Sequence, residues 1–177
     1  MEENRIEKHI DLKASPSRVW KALTDHNEFG QWFGVKLEGP FVAGKTVAGK
    51  MTYEGYEHLQ WAVDVKKMEP ERYFSFTWHP YAMEEAVDYS KETPTLVEFT
   101  LEAKGSGTHL VVTESGFDKL PADRRLEAFR MNNEGWIEQL ENIAKQADLN
   151  AAKRLTRPRP VFAQDEIHRI QQVSADH

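Results

Sequence analysis

A chain of 177 residues with 40% hydrophobic and 11% aromatic content can bury a real core and is not a disordered composition. Its net charge of -6 speaks against general nucleic-acid affinity, and no apolar run approaches the length of a membrane span. The absence of cysteine excludes disulfides, thiolate metal sites and cysteine nucleophiles, and residues 1–5 carry no hydrophobic leader, so cytoplasmic residence is expected.

Ile6, Ile10 and Leu12 alternate with polar neighbours and predict a first strand, with Lys8 in phase at its frayed end. Ser15-Pro16 marks a helix start, serine as cap and proline in the first turn, with Val19, Trp20 and Leu23 as the buried face. A second short helix opens at Asp25, where Glu28 completes a capping-box pattern, and ends near Gly30. Residues 35–46 read as strand and turn, followed by paired strands over 47–53 and 57–68 with Trp61, Val63 and Val65 on one face. Pro70 breaks the ladder, and 72–79 resumes it with Phe74, Phe76 and Trp78 alternating against Ser75 and Thr77.

From 81 to 93 the chain is acidic and irregular, which predicts a loop. Strands follow at 95–103, with Val97, Phe99 and Leu101 facing inward, and at 109–115, joined by the hairpin turn Gly105-Ser106-Gly107. Leu110 and Val112 share a face in the second of these, and Glu114 comes next on that face. A long helix is predicted over 121–147, with Pro121 in its first turn and an apolar stripe through Leu126, Phe129, Trp136, Ile137, Leu140, Ile143, Ala144 and Ala147. Asn133 interrupts that stripe, and Gly135 precedes its largest side chain. Strand, two short helices, about six antiparallel strands and one long helix make an α+β arrangement, a curved sheet gripping a long helix with room left between them. Residues 1–147 form this domain. Residues 148–177 form a basic, proline-containing extension with a short amphipathic helix from about Asp165.

The run from Ser17 to Asp25, Gln31-Trp32-Phe33, Val63-Asp64-Val65 and Phe74-Ser75-Phe76-Thr77-Trp78 resemble, in this order, the START-like SRPBCC superfamily. Thr95-Leu96-Val97-Glu98-Phe99, Gly107-Thr108-His109-Leu110, Thr113-Glu114-Ser115-Gly116-Phe117 and Glu134-Gly135-Trp136 extend the likeness over about residues 5–147. Within the superfamily the chain is most similar to the branch related to activators of the heat-shock chaperone ATPase. The resemblance implies a helix-grip fold enclosing an apolar cavity, and proteins that commonly bind lipids, hydrophobic metabolites or polyketide-like molecules, some of them cyclases or hydrolases. Many relatives carry a histidine where this chain has Asn132, which weakens any transfer of acid–base chemistry.

Other motifs carry little. Residues 39–46 formally match a phosphate-loop pattern, yet Pro40 removes a donor and strand character follows where a helix should open, so the segment reads as a turn. The histidines at 9, 26, 58, 79, 109, 168 and 177 show no metal-binding spacing, and neither a metal nor a cofactor is expected. Serine lacks a nucleophile elbow.

Glu114 and Asn133 break an apolar phase, so each either reaches water or pairs with something buried. The expected ligand-binding set is Tyr53, Trp61, Phe76, Trp78, His79, Phe99, Glu114, Phe129, Asn133 and Trp136, with no catalytic residue. The expected function is non-catalytic binding of a hydrophobic or amphipathic small molecule, or lipid, between sheet and long helix. The alternatives are a co-chaperone-like module with a protein partner or homodimer contact through 148–177, and, ranked last, an enzyme using Glu114 or His79 as acid–base group.

Overall fold

The computed structural model describes residues 4–149 apart from 83, 85 and 86. Its strands are β1 (Arg5–Leu12), β2 (Val35–Leu37), β3 (Thr46–Met51), β4 (Gln60–Glu69), β5 (Tyr73–Trp78), β6 (Thr95–Lys104) and β7 (Gly107–Ser115). Helices α1 (Pro16–Thr24) and α2 (His26–Phe33) follow β1, and α3 (Ala122–Asp148) follows β7 through a 3-10 turn at Phe117–Lys119. The strands form one antiparallel sheet in the order β1-β7-β6-β5-β4-β3-β2. A register shift between Val65 and Lys67 breaks the β4–β5 ladder, the kind of bulge that bends a strand and strengthens twist. This is the α+β helix-grip arrangement the pattern predicts.

The local signals for α1 and α2 act largely as expected. Ser15 Oγ accepts from the Arg18 N–H at 3.3 Å, and Asp25 Oδ1 accepts from the N–H groups of Asn27 and Glu28 at 3.0 and 3.1 Å. α2 does not end at Gly30. It runs on to Phe33, and Gly34 takes the left-handed cap with φ 94°. Gly30 has a different reason to be glycine: a Cβ there would run into the carbonyl oxygen of Val35. Residues 39–45 lie in the β2–β3 connection and lead into a strand at Thr46, so the phosphate-loop pattern has no helix to open onto.

Two further details differ from expectation. Lys8 is not at a frayed end but in the middle of β1, opposite Val112 and half-buried, where a lysine stem can lie along an edge strand with its head in water. The strand predicted from residue 57 begins at Gln60, which leaves Tyr53 and His58 in the β3–β4 connection.

The inner face of the sheet and the helices share one aromatic core. Phe29, Phe74, Phe76, Phe99 and Trp136 are each 0% exposed, and Phe99 meets Trp136 edge-on with ring centroids 5.8 Å apart. Where α3 crosses the middle strands the space is therefore filled by interlocked rings.

Along α3 the predicted stripe is only half right. Trp136, Leu140, Ile143 and Ala147 are buried, but Leu126 and Ile137 are 39% and 50% exposed. The buried arc instead takes in Asn132, Gln139, Asn142 and Gln146. An apolar count misplaces a face whose polar members bond in part to one another, to α2 and to the sheet. Near the C-terminal end, Gln146 Nε2 donates to Glu28 Oε1 at 3.0 Å and Gln31 Oε1 at 2.9 Å, while Arg18 donates to the Gln146 carbonyl at 2.7 Å and pairs with Glu28 at 2.8 Å. This network locks α1, α2 and α3 together. The predicted capping box is thus only half formed: Asp25 caps the helix, but its own N–H goes to the Lys21 carbonyl at 3.0 Å while Glu28 serves the helix–helix network. Residues 150–177, with the expected extension and its short helix, lie outside the described residues. Among the described residues no helix is long and apolar enough to cross a membrane.

Candidate functional site

Strand alternation turns Leu110, Val112 and Glu114 of β7 toward the core, and Glu114 ends up 0% exposed. Four side chains from three elements donate to its carboxylate. Trp136 Nε1 and Asn132 Nδ2 reach Oε1, each at 2.9 Å, and Trp78 Nε1 and Thr95 Oγ1 reach Oε2 at 2.8 and 2.6 Å. Asn132 and Trp136 stand four residues apart, which puts them on one face of α3, while Trp78 ends β5 and Thr95 opens β6. Burial pushes the Glu114 carboxyl above the usual carboxylate range, against the pull of the hydrogen bonds from Thr95, Trp78, Trp136 and Asn132. Of the two readings open to this glutamate, pairing is the one realised; it does not reach water.

Beside this cluster lies a pocket of about 550 Å³, within the usual size of small-molecule sites. Phe33 at the end of α2 and Met51 at the end of β3 form one side of its lining, with Leu59 just before β4 and Trp61 and Ala62 from its start. Trp78, His79, Pro80 and Tyr81 form another side together with Val87 and Tyr89 of the β5–β6 connection. From α3 the lining takes Asn132. The walls are chiefly aromatic and aliphatic. Two polar atoms on lining residues are buried without a hydrogen-bond partner, Asn132 Oδ1 and His79 Nδ1.

Arg124, in the first turn of α3, fixes the wall made by the β5–β6 connection. Its guanidinium pairs with Glu92 at 2.8 Å, donates to the carbonyls of Pro80 and Tyr81, each at 2.9 Å, and lies over the Tyr89 ring at 4.8 Å. Nothing in the local sequence around Arg124 marks it, because all its partners are more than thirty residues away.

The predicted set divides between pocket and core. Trp61, Trp78 and His79 line the pocket. Phe76, Phe99 and Trp136 belong to the packed core and do not line it, and Glu114 sits behind Trp78 and Asn132 rather than at the surface of the cavity. Phe129 packs edge-on against Phe117 at 5.4 Å, and neither it nor the half-buried Tyr53 belongs to the pocket lining. Asn133 is half-buried and turned away; its neighbour Asn132, 1% exposed, is the asparagine that enters the site. The helical phase is one residue off the predicted one at this point, and the clue lay in the i, i+4 relation to Trp136.

Sheet pairing also unites histidines that spacing keeps apart. His9 Nδ1 and His109 Nε2 are 3.0 Å apart on the β1–β7 surface, flanked by Glu7 and Asp11. Even so, among the described residues no group of three or more His, Cys, Asp or Glu side chains could hold a metal ion.

A family profile described as Activator of Hsp90 ATPase homolog 1-like protein matches residues 13–148. No curated protein sequence matches the chain. Among solved structures, a protein from Arthrobacter aurescens superposes with a TM-score of 0.68 at 17% identity, over 89% of this chain and 95% of that one. The solution structure of the Aha1 dimer from Colwellia psychrerythraea gives a TM-score of 0.62 at 19% identity, over 83% and 98% of the two chains. DynU16, a protein of the dynemicin biosynthetic locus, gives 0.62 at 20% identity over 80% of this chain; the match spans only 46% of DynU16. At these identities the structural likeness carries the fold alone.

Proposed function

This chain belongs to the Activator of Hsp90 ATPase homolog 1-like family, and on that premise we propose that it binds an apolar or amphipathic small molecule without transforming it. The observation that supports the reading is the aromatic-walled pocket of about 550 Å³ next to α3. The bound molecule lies against Trp61 and Trp78, and its affinity comes from apolar area removed from water at about 25 cal/mol per Å². His79 and Asn132 supply the polar contacts. The core members of the aromatic set hold the walls in place. A hydrolase or cyclase reading has less support, because Glu114 is enclosed by donors and stands behind the lining.

Native mass spectrometry of the full chain, followed by organic extraction, tests the proposal together with a titration of 1-anilinonaphthalene-8-sulfonate. One-to-one binding that weakens about tenfold in Trp61→Ala is expected, since one aromatic wall is lost. Absence of any saturable binding would sink it.

A second reading, a co-chaperone-like or self-associating protein, draws on the family description and on the dimer reported for the Colwellia relative. Sedimentation of the full chain against one ending at residue 149 separates the two. A dimer lost on truncation favours the second reading, and a monomer in both cases removes the extension from it.

A further inference from the structure

The hydrogen bonds around Glu114 fix which way the Asn132 amide faces. Both tryptophan indoles can only donate, and each occupies a different carboxylate oxygen, Trp136 on Oε1 and Trp78 on Oε2. Asn132 meets the same carboxylate at 2.9 Å to Oε1 and 3.2 Å to Oε2, so it must present its NH₂ group. The orientation is compatible with protonation of Glu114. The Thr95 hydroxyl, 2.6 Å from Oε2, can turn to accept a carboxyl proton, and Asn132 still donates to Oε1. In either charge state the amide oxygen is left over. Asn132 is 1% exposed and lines the pocket, and its Oδ1 has no partner. His79 Nδ1 is a second buried, unpaired atom on the same lining. A buried acceptor without a donor is costly, and a ligand that brings the donor removes that cost.

We propose that Asn132 is the specificity-determining residue of this pocket: its Oδ1, held as an acceptor by the Glu114 cluster, selects ligands whose apolar body carries a hydroxyl or N–H group. The inference rests on the reading of the pocket as a ligand site and names the chemical class it takes. Glu114 acts through Asn132 and is a positioning residue. Ethers, esters and tertiary amides of the same shape leave Oδ1 unpaired and are discriminated against, as sites built around one hydrogen bond reject analogues that lack it.

The test uses a matched pair, 2-naphthol and 2-methoxynaphthalene, in equilibrium dialysis with the full chain. The ratio of their dissociation constants in wild type is compared with the ratio in Asn132→Leu, which cancels the difference in hydrophobicity between the two compounds. The ratio should favour 2-naphthol about tenfold more in wild type. Asn132→His should keep most of that preference, because one ring nitrogen can donate to Glu114 while the other accepts from the ligand. If Asn132→Leu loses its cooperative melt, Asn132→Ala supplies the same comparison. Binding of both compounds with an unchanged ratio would overturn the role of Asn132 and leave the ligand site standing. If neither compound binds wild type, the ligand site falls and this inference with it.

Discussion

The two ends of the buried face of α3 treat polar groups in opposite ways. Toward the C-terminus, Gln146, Glu28, Gln31 and Arg18 form a closed network that ties three helices together. At the middle of the helix, Asn132 and Trp136 donate to Glu114, and Asn132 keeps one acceptor in reserve beside a cavity. A satisfied buried network stabilises and specifies a packing arrangement, whereas an incomplete one is tolerated where something else is meant to complete it. The contrast separates a closed polar anchor from an open polar group beside a cavity on the same helix.

The largest expected effect removes the ring on which the middle region is built. Trp136→Ala should cost about 3–5 kcal/mol, because it deletes a 0% exposed side chain that stacks on Trp78 and donates to Glu114. Urea unfolding measures it, and a loss below about 1 kcal/mol would mean the ring is less central than its burial implies. At the other end, Glu28→Ala leaves Arg18 and Gln146 without their shared acceptor. Since Arg18 is 22% exposed and can recover some solvation, we expect about 2–3 kcal/mol rather than the full cost of a fully buried pair.

Glu114 sharpens the comparison through pH. Its folded-state carboxyl is raised by burial above the unfolded reference of 4.5, so the folded protein binds the proton more tightly. Stability from this group is therefore greatest below 4.5 and falls as pH rises through the raised folded value. Glu114→Gln should flatten that part of the stability–pH profile; a profile identical to wild type would place the titration elsewhere. Arg124→Ala should cost about 1–2 kcal/mol and weaken ligand binding more than it weakens the fold, because it releases the β5–β6 wall from the start of α3. Parallel melting and binding titrations distinguish the two effects. The smallest effect belongs to Ile137→Ser, within about 0.5 kcal/mol, since the side chain is 50% exposed despite its place in the apolar count. A larger loss would restore Ile137 to a covered face.

Local chemistry in the sequence was enough for the elements and their order. Ser15-Pro16 and Asp25 placed the helix starts, the alternation of Phe74, Phe76 and Trp78 gave β5, and the spacing from Trp136 to Ala147 gave the buried side of the C-terminal half of α3. These signals work because caps, strand alternation and helical period are satisfied within a few residues. Trp61, Trp78 and His79 were likewise legible as candidates for a cavity wall.

Which asparagine turns inward was decided only by tertiary structure. Periodicity favours apolar positions, so it passed over Asn132, whose burial depends on an acceptor eighteen residues earlier on β7. Arg124 was invisible for the same reason: its value lies in carbonyls and a carboxylate brought to it by the β5–β6 connection. The sequence by itself determined what each segment must become. Long-range pairing determined which polar groups are completed by the protein and left the Asn132 amide oxygen open beside the cavity, because hydrogen-bond satisfaction is a property of three-dimensional neighbours and not of spacing along the chain.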